Sequence, residues 1–354
     1  MKLLIVLILL VACSACTTGN YGTGIYSTGQ FYSQAFLGQA NLLLKREAIQ
    51  KKLLEQDLSP DIRERLQFVL TLRAFAKEEL RLPVGKAYAT YSDLQRPFAL
   101  WNVYAAPELS LESQRWCYPL AGCFAYRGYF AEEGAQKEAE AFRKRGFDVK
   151  VGGILAYSTV GWFDDPVLNT FILKSEPYLV ELLFHEMAHR KIYIKNDTPF
   201  NENFATAVSM LGSELWYQNR DDGSAYSEYR IRQIRQQTLI NLVLDYRVQL
   251  NVVFSDEALS EVEKRQNKIR VMQALQKAYQ NLKRDSAWDD RYDQWLGTMN
   301  NASMATLSNY QSLVPNFLAL FEASERDWSI FYKRVEAISR LDKLARHEAL
   351  STYQ

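Results

Sequence analysis

LVELLFHEMAHRKIY, Leu179 to Tyr193, is the stretch on which the reading of this chain turns. It holds two of the three histidines in 354 residues, four positions apart, with a glutamate directly after the first. Residues four apart stand one above the other on a single face of an α-helix, so His185 and His189 can offer two imidazole nitrogens to one ion. Glu186 is then a neighbour that can reach a metal-bound water without itself being a ligand. That division of labour suits zinc. A catalytic zinc takes three protein ligands and keeps a fourth position for a water whose pKa falls to about 7. The plainer reading is a helix with two satisfied histidines. Leu182, Leu183, Phe184, Met187, Ala188 and Ile192 would bury such a helix in either case. In a chain so poor in histidine the spacing favours the metal site, with one zinc per chain and Glu186 as general base.

A third ligand has to come from elsewhere. Ile192 and Lys195 stand where the extended H-E-x-x-H-x-x-G-x-x-H motif needs Gly and His, so that motif is excluded. Glu202 lies thirteen residues beyond His189 in FNENFATAV, and a turn through Asn196 to Pro199 could bring its helix back across the first. Asp197 is the rival, although it sits in the turn itself. Glu214 is three turns further on, and His347, near the C-terminus, reads as a surface residue.

Around this pair of helices the chain reads as α+β and predominantly helical, with a small mixed sheet. Gln30–Gln56 and Pro60–Leu80 show apolar residues at helical spacing, the second opened by Ser59-Pro60 and closed by Leu82-Pro83. ALWNVYAA, GCFAYRGYF and FDVKVGGILAY are aromatic and β-branched and read as strands. Ala131–Arg145 between the last two reads as a helix stopped by Gly146. Ser175 is placed to cap the histidine helix, with Glu176 and Pro177 in its first turn. After Gly223 the pattern is almost wholly helical, broken near Gly297–Ser303.

The N-terminus indicates an address. Met1-Lys2 is followed by an unbroken apolar run, Leu3–Val11, too short for the about 20 residues that span a bilayer as a helix. It reads as an export signal. Leu10-Val11-Ala12-Cys13 resembles the bacterial lipobox, which would make Cys13 the lipidated first residue of the mature chain. The alternatives are lipidation at Cys16, or a signal without lipid. Ser14 rather than Asp behind Cys13 resembles the outer-membrane sorting pattern. The segmentation expected is a signal over 1–12, a lipidated tether over 13–29 and N-terminal helices over 30–97. A metal-site core over 98–222 follows, with a helical region over 223–354 packed on it. In the exported compartment Cys117 and Cys123 are a local disulfide or a pair of buried thiols.

Hydrophobic residues at 48% and charged residues at 23% supply a substantial core, and a formal net charge of +1 without long basic runs argues against a nucleic-acid partner. The 21 Tyr and 18 Phe are core material first. Nothing in the sequence fixes an oligomeric state.

WNVYAAPELSL, GCFAYRGYF, AYSTVGWFDDPVL, FHEMAHRKIY, FNENFATAV and MNNASMATLSNYQSLVPNF, in this order, resemble a family of bacterial lipoproteins described as zinc-dependent aminopeptidases. The resemblance covers most of the mature chain and implies a zincin-like core with the helix-plus-second-helix-glutamate arrangement of gluzincins. It carries metal binding onto His185, His189 and Glu202 and the general base onto Glu186. Better-known gluzincins often place an acid four residues after the glutamate ligand. Thr206 stands there, which leaves Asp164 and Asp165 as other partners for a ligand histidine. Such hydrolysis also needs an oxyanion donor and an edge strand to align the peptide. Tyr157, Tyr310 and Arg127 are the candidate donors and Val151–Ser158 the candidate strand. The function expected is hydrolysis of peptide substrates at the envelope, with aminopeptidase and endopeptidase not separable. The alternative is a non-catalytic envelope protein that keeps the zincin frame for binding or structure.

Overall fold

Pro60, Pro177, Pro199 and Pro315 each stand in the first turn of a helix, where the missing N–H has no intrahelical partner to lose and the fixed φ suits the helix. This punctuation sets much of the architecture. The computed structural model describes residues 38, 44–118, 122–156, 164–220, 223–286 and 288–353, with the backbone alone at 122 and 308–311. The helices of nine residues or more are α1 (Pro60–Glu78), α2 (Glu132–Lys144), α3 (Glu176–Ala188), α4 (Thr198–Gln218), α5 (Gly223–Ser255), α6 (Glu261–Asp285), α7 (Asn301–Gln311), α8 (Val314–Ala323), α9 (Trp328–Ser339) and α10 (Lys343–Ser351). The strands are β1 (Glu47–Ala48), β2 (Thr90–Ser92), β3 (Leu100–Pro107), β4 (Trp116–Tyr118), β5 (Gly122–Phe124), β6 (Arg127–Tyr129), β7 (Phe147–Ile154) and β8 (Val167–Leu168). The fold is α+β and mostly helical.

β3 is the middle of a three-stranded antiparallel sheet, flanked by β6 and β7, with Val103 opposite both Arg127 and Val151. Successive side chains of a strand point to opposite faces. Trp101, Val103 and Ala105 accordingly pack with Ala135, Ala139 and Phe142 of α2, while Tyr104 and Ala106 pack with Ala302 of α7. Gly146, at φ +78, turns the chain out of α2 into β7. β4 and β5 form a separate hairpin joined by the Cys117–Cys123 disulfide. The third sheet has β2 at its centre, antiparallel to β1 and parallel to β8.

The principal core joins distant parts of the chain. Leu66, Val69 and Leu72 of α1, Leu183 and Phe184 of α3, Phe204 and Val208 of α4, Phe317 of α8 and Phe331 of α9 all belong to it. A second helical cluster ties α5 to α6 through Leu239, Val243, Leu250, Leu275 and Tyr279. Within the described residues no helix is long and apolar enough to cross a membrane.

The N-terminal reading needs correction. Most of 30–43 lies outside the described residues, and in 44–56 only Ile49–Lys52 and Leu44 are helical. Glu47 and Ala48 pair instead with Tyr91 and Thr90, and the Ile49 amide donates to the Ala89 carbonyl at 3.0 Å. Leu44 and Leu54 are 84% and 82% exposed while Ile49 is buried in the core, so only part of the apolar spacing finds a surface to bury against and pairing with β2 prevails. Ser175 does occupy the N-cap position of α3, but its side chain makes no capping bond.

Asp197 caps α4, accepting from the Phe200 amide at 3.4 Å. It is 1% exposed, and its charge is met from α10 by Arg346 at 2.5 Å and His347 at 3.0 Å. His347 is therefore no surface bystander. Burial acts to raise the Asp197 pKa, but the hydrogen bonds and charges of His347 and Arg346 outweigh it and hold the group below 3.8. A depressed carboxylate contributes stability above its unfolded pKa and loses it as pH falls through the folded value. The pairing is thus expected to hold through neutral pH and to fail only below about 3.8. Asp197→Asn leaves the buried Arg346 charge uncompensated and should cost about 3–5 kcal/mol. Denaturant unfolding of the two proteins at pH 7 and at pH 3 checks this, with the difference shrinking in acid.

Candidate metal centre

α3 ends on the residues that matter. His185 is in its last turn, and His189 stands at the C-cap with φ −58 and ψ −24, close enough to helical that the four-residue stacking persists. The chain then turns through Asn196, at φ +65, a conformation that asparagine tolerates better than most side chains. Asn201 closes the turn. Its Oδ1 accepts from the Ile194 amide at 2.8 Å and its Nδ2 donates to the Ile194 carbonyl at 2.7 Å. Asn203 donates to the Pro199 carbonyl at 2.6 Å and accepts from the Leu313 amide at 2.8 Å, fixing α4 against the start of α8. Between these two asparagines, Glu202 is aimed back at α3.

The result is a convergent set. His185 Nε2 and His189 Nε2 are 3.2 Å apart, and Glu202 Oε2 lies 3.3 Å from the first and 3.6 Å from the second. His185, His189 and Glu202 form a group that could hold a metal ion, each offering one ligand atom. The fit to zinc can be tested. Tetrahedral bonds of about 2.0–2.1 Å place ligand atoms about 3.3 Å from one another, and the three separations bracket that figure. The electrostatics point the same way. Burial disfavours charge on Glu202, but His189 and His185 outweigh it and hold its pKa at about 2. Burial likewise disfavours charge on His189, and Glu202 and Glu186 outweigh it, raising the imidazole pKa. The cluster already attracts positive charge. His189 Nδ1 is buried and finds no hydrogen-bond partner among the described residues.

Glu186 is half-buried and makes no hydrogen bond to any described residue, yet its charge is felt by His189, Tyr88 and Tyr178. It is an available carboxylate beside the ligand set. Burial first, and then the Glu202 charge, push the Tyr104 pKa up to about 12, although the hydrogen bond from Asn102 acts the other way. Tyr193 is raised by burial and by Glu202. Tyr104 is thus a protonated phenol within electrostatic range of the ligands, and sequence reasoning missed it. The alternation of β3 could have indicated that Tyr104 faces away from α2, though not what it would meet there.

The other expected residues are distributed differently. Arg127 is buried on β6 and paired with Glu138 of α2 at 3.3 Å, on the sheet face opposite Tyr104. It is therefore tied to α2 and unsuited to receive an oxyanion. Tyr157 and Cys13 lie outside the described residues, and Tyr310 falls in α7 where only the backbone is described. Asp197 and Glu214, the rival ligands, serve elsewhere: the first caps α4, and the second meets Gln218, Tyr226 and Arg230. Asp164 pairs with Arg190 at 3.4 Å, and the Asp165 carbonyl accepts from the Tyr88 amide at 2.7 Å. The disulfide hairpin docks on the interhelix turn, where the Cys123 amide donates to Asn196 Oδ1 at 3.0 Å.

Fold and site together define a mostly helical α+β protein bearing a His-His-Glu group able to bind a metal. The chain belongs to the family described as "Putative aminopeptidase", which matches residues 30–350. That membership supports a peptidase. No curated protein and no solved structure matches the chain.

His185→Ala, His189→Ala and Glu202→Ala should each weaken zinc binding by more than the about 10- to 100-fold that follows loss of a ligand's hydrogen-bond partner. Asp197→Asn should bind zinc as the parent does once its lower stability is allowed for. Competition with a chromogenic chelator measures both.

Proposed function

We propose that the protein is a zinc-dependent peptidase, an aminopeptidase in action, carried on the bacterial cell envelope by an N-terminal lipid. The observation that supports this most directly is the convergence of His185, His189 and Glu202 beside a carboxylate, Glu186, that has no structural partner among the described residues. A site built only to hold a metal would fill four positions and would have no use for an unbonded acid next to them. Zinc held by the three ligands would supply Lewis acidity, polarising a carbonyl and making a water nucleophilic at neutral pH.

The chain's own groups divide the remaining work. Glu186 takes the proton of the attacking water on its carboxylate and returns it to the leaving amine nitrogen, so that it ends as it began. Tyr104, kept protonated by burial and by the Glu202 charge, is the phenol suited to donate to the developing oxyanion. Asn102 Nδ2 donates to its oxygen at 3.1 Å and fixes its direction. β7 pairs on one side with β3, and its other edge has no strand beside it among the described residues. An extended peptide can add there through main-chain hydrogen bonds.

The address rests on the sequence alone. Leu3–Val11 and the lipobox-like Leu10–Cys13 support export and acylation of Cys13, and Ser14 behind it favours the outer membrane. The working partners are then a peptide substrate and the membrane that holds the anchor.

Two outcomes check the proposal. Glu186→Gln keeps the shape and, with zinc and thermal stability unchanged, should lower peptide hydrolysis by about 10²–10⁴-fold. Equal rates in metal-loaded parent and variant would overturn the mechanism. Cys13→Ser should move the protein from the membrane fraction to the soluble one, because acyl chains supply the attachment. Unchanged partitioning, with no acylated peptide by mass spectrometry, would remove the anchor.

A further inference from the structure

A cavity of about 220 Å³ opens between α3, α4 and α5, with His185 in its wall. It is smaller than the about 300–1,000 Å³ of sites for drug-sized ligands. It exceeds the about 150 Å³ that admits a benzene ring. That is room for one residue rather than a run of peptide. Leu182, Met210 and Ile240 give it apolar walls, and Glu181, Gln233 and Gln237 give it a polar side. Glu181 stands one helical turn before His185, about 6 Å along the axis at 1.5 Å per residue.

The hydrogen bonding of that polar side is one-sided. Arg232 and the Gln233 amide nitrogen both donate to Glu181 Oε1, which leaves Glu181 Oε2 without a donor among the described residues. Gln233 thereby uses one of its two amide N–H donors and keeps its carbonyl oxygen. The Gln237 nitrogen donates to Asn241 Oδ1 at 2.8 Å, so its oxygen too is left as an acceptor. Three side chains around one small cavity therefore each keep an oxygen acceptor, two of them glutamines with one amide N–H already engaged. A primary ammonium has three donors and no acceptor. Burial pushes the Glu181 pKa up, and the charge and hydrogen bond of Arg232 with the hydrogen bond of Gln233 counter this only in part, so a cation beside its second oxygen would relieve the burial of the carboxylate.

We infer that this cavity is the subsite that receives a primary ammonium of the substrate, held by Glu181, Gln233 and Gln237 next to the metal centre. The favoured source is the α-amino group of the peptide, since the cavity holds a single residue beside His185. This deepens the peptidase reading and rests on it for the identity of the ligand. A lysine side chain carries the same chemistry, and the test separates the two.

The experiment titrates the zinc-loaded Glu186→Gln protein calorimetrically with three peptides. They are a lysine-containing peptide with a free N-terminus, its N-acetylated twin, and a twin with norleucine in place of lysine. The expected result is that acetylation weakens binding by about 10- to 100-fold, the range for hydrogen bonds to a charged group. Adding Glu181→Gln should abolish that preference. Weakening by norleucine instead, also abolished by Glu181→Gln, supports the subsite with the side chain as its ligand. Equal affinity for all three peptides, or none for any, overturns it. Glu181→Gln leaves the Arg232 charge unpaired and threatens folding. Gln237→Leu, which removes one acceptor from the wall, is therefore run alongside and should reduce the same preference. Hydrolysis by the protein with Glu186 intact is measured separately. Ammonium-dependent binding without any hydrolysis would sink the peptidase reading and leave the subsite standing.

Discussion

Two imidazoles and a carboxylate held 3.2 to 3.6 Å apart, between helices that pack through an apolar core, are the arrangement to which the surrounding structure answers. Bringing such groups out of water costs several kcal/mol for each charge unless something compensates. Part of the compensation is mutual, as the lowered Glu202 pKa and the raised His189 pKa record. The rest is mechanical: α3 and α4 must not slide, because a displacement of one helical turn would carry Glu202 about 5.4 Å away from the histidines. Asn201 prevents it at the turn, tying both polar groups of Ile194, and Asn203 prevents it at the side, against α8. These asparagines flank the ligand in sequence because a short turn leaves few other places from which to brace it.

The same need explains why the end of the chain is buried against the middle. Asp197 opens α4 five residues before Glu202, and it would be a costly buried charge by itself. Arg346 meets its charge, and His347 hydrogen-bonds to it, from about 150 positions away. The Arg346 guanidinium goes on to the carbonyls of Ser339 and Leu341, so α10 is locked to the loop that precedes it as well as to α4. The C-terminal helices are thus part of the support for the ligand helix, although no sequence motif in them mentions a metal.

That contrast marks what could be read from the sequence. The spacing of His185 and His189 is helical geometry written in residue numbers, and a proline-marked turn followed by a helix leaves few candidates for a third ligand. Glu202 was legible for this reason, as were α1, α2, α3, α4 and the strands β3 and β7, whose patterns are long or well punctuated. The partners of Asp197 were not, since an ion pair across 150 residues leaves no local period. Arg127 and Tyr104 make the same point from one sheet. Both sit on strands whose alternation was visible, but which face meets α2 and which meets the site is decided by tertiary packing. The strand at Glu47–Ala48 was hidden by apolar residues at helical spacing, of which Leu44 and Leu54 end up exposed.

Charge accounting connects the metal centre to its neighbouring cavity. A divalent ion on His185, His189 and Glu202 would be balanced by two carboxylates, Glu202 as ligand and Glu186 beside it. Those two carboxylates would then be spent on the ion, leaving no net negative charge there to hold a substrate ammonium. A peptidase acting at an amino terminus therefore needs a separate acceptor, close enough to the scissile bond yet outside the ligand set. Glu181 meets both conditions, because one turn of α3 separates it from His185, and Arg232 with Gln233 leaves one of its oxygens without a donor among the described residues. On that proposal the helix that offers the histidines to a metal would also carry the group that reads the end of the substrate chain, and the pitch of the helix would set the distance between the two tasks.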